Sequence, residues 1–152
     1  MQTYATSNDV RLEAWFQWNP NVTNDTIEKY IVMWHSIVLS RIAWKYNTTL
    51  FEGDNFTDSQ AHVYLKTAEI LISAGLLLQK EFGTNYEAEK EGARRFKDWN
   101  DMLMMMFDPK TPVFLIGNDG IEYPRKSVWT AWSITATSYS TGEPFFGVNM
   151  KI

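Results

Sequence analysis

Residues 57–83 read TDSQAHVYLKTAEILISAGLLLQKEFG, and the fold turns on this stretch. Ala61, Tyr64, Leu65, Ala68, Leu71, Ile72, Gly75 and Leu78 recur at three- and four-residue steps. That spacing places them on one broad apolar face of a helix. Thr57-Asp58-Ser59-Gln60 has the pattern of a capping box, in which a hydroxyl and a glutamine side chain satisfy each other's backbone N–H groups. Gly83 suits the far end, where a left-handed residue closes a helix. The small residues Ala61, Ala68, Ala74 and Gly75 leave room for a neighbouring helix to approach closely. The stretch is therefore the expected central core helix. Its longest apolar run, Ile70 to Leu78, is broken by Ser73 and Gly75 and is too short to span a bilayer, so no membrane is implied.

Working outward, a helix that is apolar on one broad face needs partners of the same kind. A helix starting near Asn24-Asp25 and running to about Tyr46 supplies one: Ile27, Ile31, Trp34, Val38 and Ile42 form a helical stripe, and Asp25 and Glu28 lie in the first turn, where a helix dipole favours acids. Ahead of it, Ser7 is placed to cap a short helix from Asn8 to about Phe16, followed by a turn at Trp18-Asn19-Pro20-Asn21. Beyond Gly83, Thr84-Asn85-Tyr86-Glu87 is a second capping-box pattern. The helix it opens runs to about Phe107, carries Gly92, Ala93, Phe96, Trp99 or Asn100, Leu103 and Met106 on one side, and stops at Asp108-Pro109.

After Pro109 the period changes. Pro112 to Gly117 is β-like, Asn118-Asp119-Gly120 is a turn signal, and Ile121 to Pro124 is a candidate return strand. Residues 127–152 are rich in Ser, Thr and aromatics without a helical period. The expected fold class is mainly α: a bundle of about four helices over 1–108, with a C-terminal β-hairpin and extended arm over 109–152 that is not an independent domain.

Composition narrows the function. The 152 residues carry a formal net charge of -4, which argues against a general duplex-binding protein, since neutralising phosphates needs a basic face. The absence of cysteine excludes disulfides and thiolate catalysis. Met1 to Ala5 lack the charged and apolar regions of a signal peptide, so none is expected. Seven tryptophans suit either a Trp-rich core or an assembly surface.

No motif points to catalysis. His35 and His62 fall on different helices without metal-ligand spacing, which leaves them as surface or partly buried side chains and gives no metal site. Glu87 and Glu91 share a helix face, one turn apart, but Glu87–Lys90 and Glu91–Arg95 are ordinary helical ion pairs. There is no phosphate-binding glycine loop and no nucleophile elbow. The expectation is a protein that is not an enzyme and takes no cofactor. Arg94, Arg95 and Lys97 make the best nucleic-acid candidate, which supports an alternative reading as a small helical nucleic-acid-binding regulator; the same cluster, with Met104 and Met105, is also a candidate subunit contact. Met104, Met105 and Met106 are consecutive, so they cannot all face the core of one helix, and at least one points outward.

Trp129, Trp132, Ile134, Tyr139, Phe145 and Phe146 are the candidate partner-binding residues. Left in water they would form large apolar patches. Either the arm folds back on the bundle or it docks on another chain, and strand addition to a neighbour suits a Thr/Trp/Ile-rich extended segment.

The opening Tyr4-Ala5-Thr6-Ser7-Asn8-Asp9-Val10, the long helix Ile27–Tyr46, Ala68-Glu69-Ile70-Leu71 with Ala74-Gly75-Leu76-Leu77, and a fourth helix ending in Leu103-Met104 together resemble the head–tail connector proteins of tailed bacteriophages, also called adaptor or head-completion proteins. The resemblance covers roughly residues 3–107. It implies a homo-oligomeric ring, commonly dodecameric, that binds the portal protein and tail or neck proteins and lets DNA pass through its channel. It also implies a place in the neck of the virion, assembled in the host cytoplasm. An acidic channel wall would let DNA slide without sticking.

Overall fold

The computed structural model describes residues 2–14, 21–82, 85–108, 110 and 112–126. Four helices organise them: α1 (Ser7–Glu13), α2 (Asn24–Ile42), α3 (Gln60–Phe82) and α4 (Tyr86–Met105). A single 3-10 turn, Thr48–Leu50, lies between α2 and α3. Helix α3 is central and packs against α1, α2 and α4. By length and composition Gln60–Glu81 is apolar enough to cross a membrane, a longer stretch than the run from Ile70 to Leu78 suggested. Its apolarity serves the core, where Ala61, Leu65, Ala68, Ile72, Ala74, Leu77 and Leu78 are all buried.

The helix starts differ from the sequence reading in instructive ways. Thr6, not Ser7, caps α1: its hydroxyl accepts from the Asp9 N–H, and the Asp9 carboxylate accepts the Thr6 N–H at 2.9 Å. The box expected at Thr57–Gln60 does not form. Thr57 donates its hydroxyl to the Gly53 carbonyl, and the Gln60 side chain accepts the Ile116 N–H at 3.0 Å. Ser59 takes over the cap, accepting the His62 N–H at 3.1 Å, so α3 begins three residues after Thr57. Helix α4 is capped by Asn85, whose side-chain oxygen accepts from Glu87 and Ala88.

Helix α2 stops at Ile42 rather than Tyr46 because the N–H groups of Lys45 and Tyr46 both fold back onto the Ile42 carbonyl. Tyr46 then forms an antiparallel bridge with Arg125. The segment 112–126 thus belongs to the body. Leu115 and Tyr123 are buried in the same cluster as Ile42, Tyr46, Leu65, Trp99 and Leu103. The expected hairpin is reduced to an isolated bridge, Ile116 with Glu122, closed by a turn in which Gly120 has φ +74°. Among the described residues there is no strand ladder, because the Ile116 N–H and C=O are taken by Gln60 and Ala61 at the start of α3. The expected arm, 127–152, lies outside the described residues.

Helices α3 and α4 approach through glycines. A Cβ on Gly92 would lie 2.7 Å from the Gly75 carbonyl oxygen, and one on Gly75 would lie 3.0 Å from that of Gly92. Only hydrogen side chains allow this backbone-to-backbone contact. Tyr64 adds a tie between the same helices by donating to the Met102 carbonyl, and burial pushes its phenol up to about 12.

Candidate interaction surface

At the end of the body where α2 and α4 terminate, several large apolar side chains stay in water. Trp44 is 80% exposed, Met104 and Met105 are about half exposed, and Phe107 and Phe114 are also exposed. Main-chain and cationic contacts gather them. The Val113 N–H donates to the Met105 carbonyl at 3.1 Å, which brings Phe114 to the end of α4. Lys45 donates to the Met106 carbonyl and sits 5.7 Å from the Phe107 ring centre. Arg125 lies 4.2 Å over the Phe114 ring and pairs with Glu122. Burial and the nearby Arg125 guanidinium lower the Lys45 ammonium from its ordinary value, with Glu122 opposing them. The chain reaches this end at Lys126, whose N–H donates to the Lys45 carbonyl at 2.6 Å and whose ammonium donates to the Ala43 carbonyl at 2.7 Å. Trp44 stands between those two anchor points in sequence. Exposed rings bordered by cations form a surface suited to aromatic and apolar partners.

Among the described residues, tryptophans fall on both sides of the alternative that composition left open. Trp99 is buried, with Trp34 and Phe96 ring centres at 6.2 and 5.3 Å and the Arg41 guanidinium at 5.5 Å, whereas Trp44 faces solvent. Met106 is fully buried while Met104 and Met105 point out, as three consecutive helical positions require. Trp129, Trp132, Ile134, Tyr139, Phe145 and Phe146, the partner-binding residues expected from sequence, lie outside the described residues.

The basic cluster on α4 is not a free positive face. Arg95 was a candidate subunit contact, but it is 2% exposed. Its guanidinium donates to Glu13 Oε1 at 3.0 Å, the Glu13 carbonyl at 2.8 Å and Glu91 Oε2 at 2.8 Å, tying α4 to α1. Arg94 remains at the surface but shares the same Glu91 oxygen at 2.8 Å. These two cations hold the Glu91 carboxyl below its ordinary value, the Arg95 hydrogen bond contributing most. Lys97 pairs with Asp101 one turn on.

Sequence reasoning missed one buried polar unit. Glu69 is fully buried in the apolar face of α3, and His35 is 2% exposed on the core face of α2. Glu69 Oε1 accepts from His35 Nδ1 at 2.8 Å, and Oε2 accepts the N–H groups of Tyr4 and Ala5, each at 2.7 Å. A carboxylate only accepts, so the pairing with Glu69 in that form calls for the His35 tautomer with hydrogen on Nδ1. Three donors compensate the burial of the charge. Tyr4 completes the unit, its ring edge-on to His35 at 4.8 Å and 5.8 Å from the His62 ring. Burial lifts the Tyr4 phenol well above its ordinary value, with Glu69 and Glu52 adding to it. A cleft of about 550 Å³ opens beside Tyr4, His35 and His62. Because the Glu69 carboxylate is occupied by two main-chain amides as well as the imidazole, the unit fastens residues 4 and 5 onto α2 and α3. Its sequence signals were a carboxylate inside an apolar helical face and a histidine in register with Ile31, Val38 and Ile42.

Among the described residues no group of three His, Asp or Glu side chains is placed to hold a metal ion. Compared with known protein families, curated proteins and solved structures, the chain matches none.

Proposed function

We propose that this chain is a structural virion protein, a head–tail adaptor that assembles as a ring between portal and tail and docks through residues 127–152. The observation that carries the reading is the exposed apolar end around Trp44, Met105, Phe107 and Phe114, close to Lys126, the last described residue before 127–152. Large rings held in water beside a further aromatic-rich segment suit a subunit that is completed by its neighbours. The helix order and the fastened Tyr4-Ala5 segment support the same reading, since both fall on the residues that carry the resemblance to connector proteins. The portal and the tail or neck proteins are the proposed partners, and DNA is the proposed passenger. The net charge of -4 suits a channel that lets DNA move.

The test is light scattering after size-exclusion chromatography on the full chain, alone and with portal protein, beside a chain lacking residues 127–152. The expected result is a closed assembly of fixed mass for the full chain, formed alone or on the portal. The shortened chain should keep its helical circular dichroism and lose that assembly. A full chain that stays monomeric with the portal present, or a shortened chain that assembles equally well, overturns the proposal.

A further inference from the structure

The exposed apolar end of the body lies close to Lys126, to which an aromatic-rich segment of the same chain is joined. We infer that the surface formed by Trp44, Met105, Phe107 and Phe114 is the seat for residues 127–152 of a second copy of this chain. The inference rests on the arm-docking reading above and names the receptor that reading leaves open.

Three observations carry it. The first is chemical match: residues 127–152 hold Trp129, Trp132, Tyr139, Phe145 and Phe146 but only Glu143 and Lys151 as charges. The seat offers exposed rings and thioethers bordered by Lys45, Arg125 and Lys126, and cations bind the faces of incoming aromatic rings. The second is position. Lys126 is held on the carbonyls of Ala43 and Lys45, so the segment departs beside Trp44. Each copy therefore presents the donor and the receptor at one end, which lets copies exchange them with a single repeated contact. The third is reach. An extended segment over 127–152 spans up to about 90 Å at roughly 3.5 Å per residue. A body of this size is only about 35 Å across. A patch on a neighbouring copy lies well within that length.

The experiment places the photo-crosslinking residue p-benzoylphenylalanine at position 44 of the full chain. Because Trp44 is exposed, the substitution spares the core. Irradiation should give a band of doubled mass on a denaturing gel, with the crosslinked peptide inside residues 127–152. An adduct at monomer mass, an adduct on residues 2–126 of the other copy, or no adduct overturns the inference. Light scattering on W44E separates this failure from failure of the parent reading. The expected outcome is at least tenfold weaker assembly with unchanged helical content. If W44E assembles like the natural chain while removal of residues 127–152 abolishes assembly, the arm docks but this seat is wrong. If assembly survives that removal, the arm-docking reading itself falls.

Discussion

Arg95, in the middle of α4, and Arg125, near the exposed end, make different use of the same guanidinium. Arg95, 2% exposed, is surrounded by acceptors from α1 and α4: two carboxylates and two main-chain carbonyls. Arg125 has Glu122 as its carboxylate partner and lies on the Phe114 ring at a partly exposed site. The difference extends to their surroundings. Arg95 and Glu69 are themselves buried with their polar atoms hydrogen-bonded, while the Ser73 hydroxyl and the Trp99 indole N–H, each one turn away, have no partner, and α3 and α4 touch through Gly75 and Gly92. Around Arg125 the core residues Tyr46, Leu115 and Tyr123 are buried, but Trp44, Phe107 and Phe114 are exposed, and Lys45 and Lys126 donate to helix-end carbonyls. Buried polar ties between helices are therefore gathered in the first region, and capacity for docking in the second. Substitutions should sort accordingly.

The largest effect is expected at Glu69. Replacing it with alanine leaves His35 and the Tyr4 and Ala5 amides buried without their acceptor, and losing one partner of a buried pair costs about 3–5 kcal/mol. Urea denaturation should show that loss, and amide exchange at Tyr4 and Ala5 should accelerate beyond the global change. Glu69→Gln keeps one acceptor oxygen and should lose less, about 1–3 kcal/mol. If both variants retain natural stability, the buried polar ties of the first region do not hold the fold.

Next in size is Gly92→Ala. Alanine favours an isolated helix by about 1 kcal/mol. Here its methyl would meet the Gly75 carbonyl at 2.7 Å and Gln79 at 2.8 Å, and backbone does not yield as a flexible side chain does. Overpacking of this kind costs about 1–3 kcal/mol, so the net expectation is a lowered Tm. A raised Tm would mean that the α3–α4 contact is slack.

Much of this region was legible in the sequence. The small residues of α3 and the stripe of α2 followed from helical spacing alone, whereas spacing left Trp99 and Asn100 as alternatives on α4, and the structure buries Trp99. The caps were not, because Thr57 turns back to the Gly53 carbonyl and Gln60 binds Ile116, a contact that no local pattern encodes. Arg95 looked like part of a basic surface because its partner Glu13 comes from another helix. His35 and Glu69 each stood out only as a polar residue in an apolar register, and their pairing depends on how α2 and α3 cross. The exposed end was legible only in part. Met104 and Met105 followed from geometry, whereas Trp44 did not, since it lies past the point where α2 stops.

A smaller effect is expected at Asp9, at the edge of the first region. Burial pushes its carboxyl up, but hydrogen bonds from the Thr6 hydroxyl and amide and from Lys66 outweigh it, leaving it below the ordinary 3.8. A lowered folded value means that the stabilisation is complete above the unfolded value. It is lost as pH falls below 3.8 and through the folded value. Asp9→Asn should cost about 0.3–1 kcal/mol at neutral pH, the usual range for an acid in a first helical turn. Its stability should also fall less steeply than the natural chain's as pH drops below the ordinary carboxylate value of 3.8. Parallel acid profiles would remove Asp9 from the fastening of α1.

The smallest stability effect belongs to Trp44, and it is the sharpest test of the contrast between the two regions. A tryptophan that is 80% exposed has little folding free energy to lose, so Trp44→Ser should shift unfolding by no more than about 0.5 kcal/mol. Measured on dilute chain below the concentration of assembly, the urea midpoint should coincide with that of the natural protein. A loss of 2 kcal/mol or more, a size that requires a named buried interaction, would show that the ring is covered by its own chain. The exposed end would then be part of the same folding unit as Glu69, and the separation of folding from docking would no longer hold.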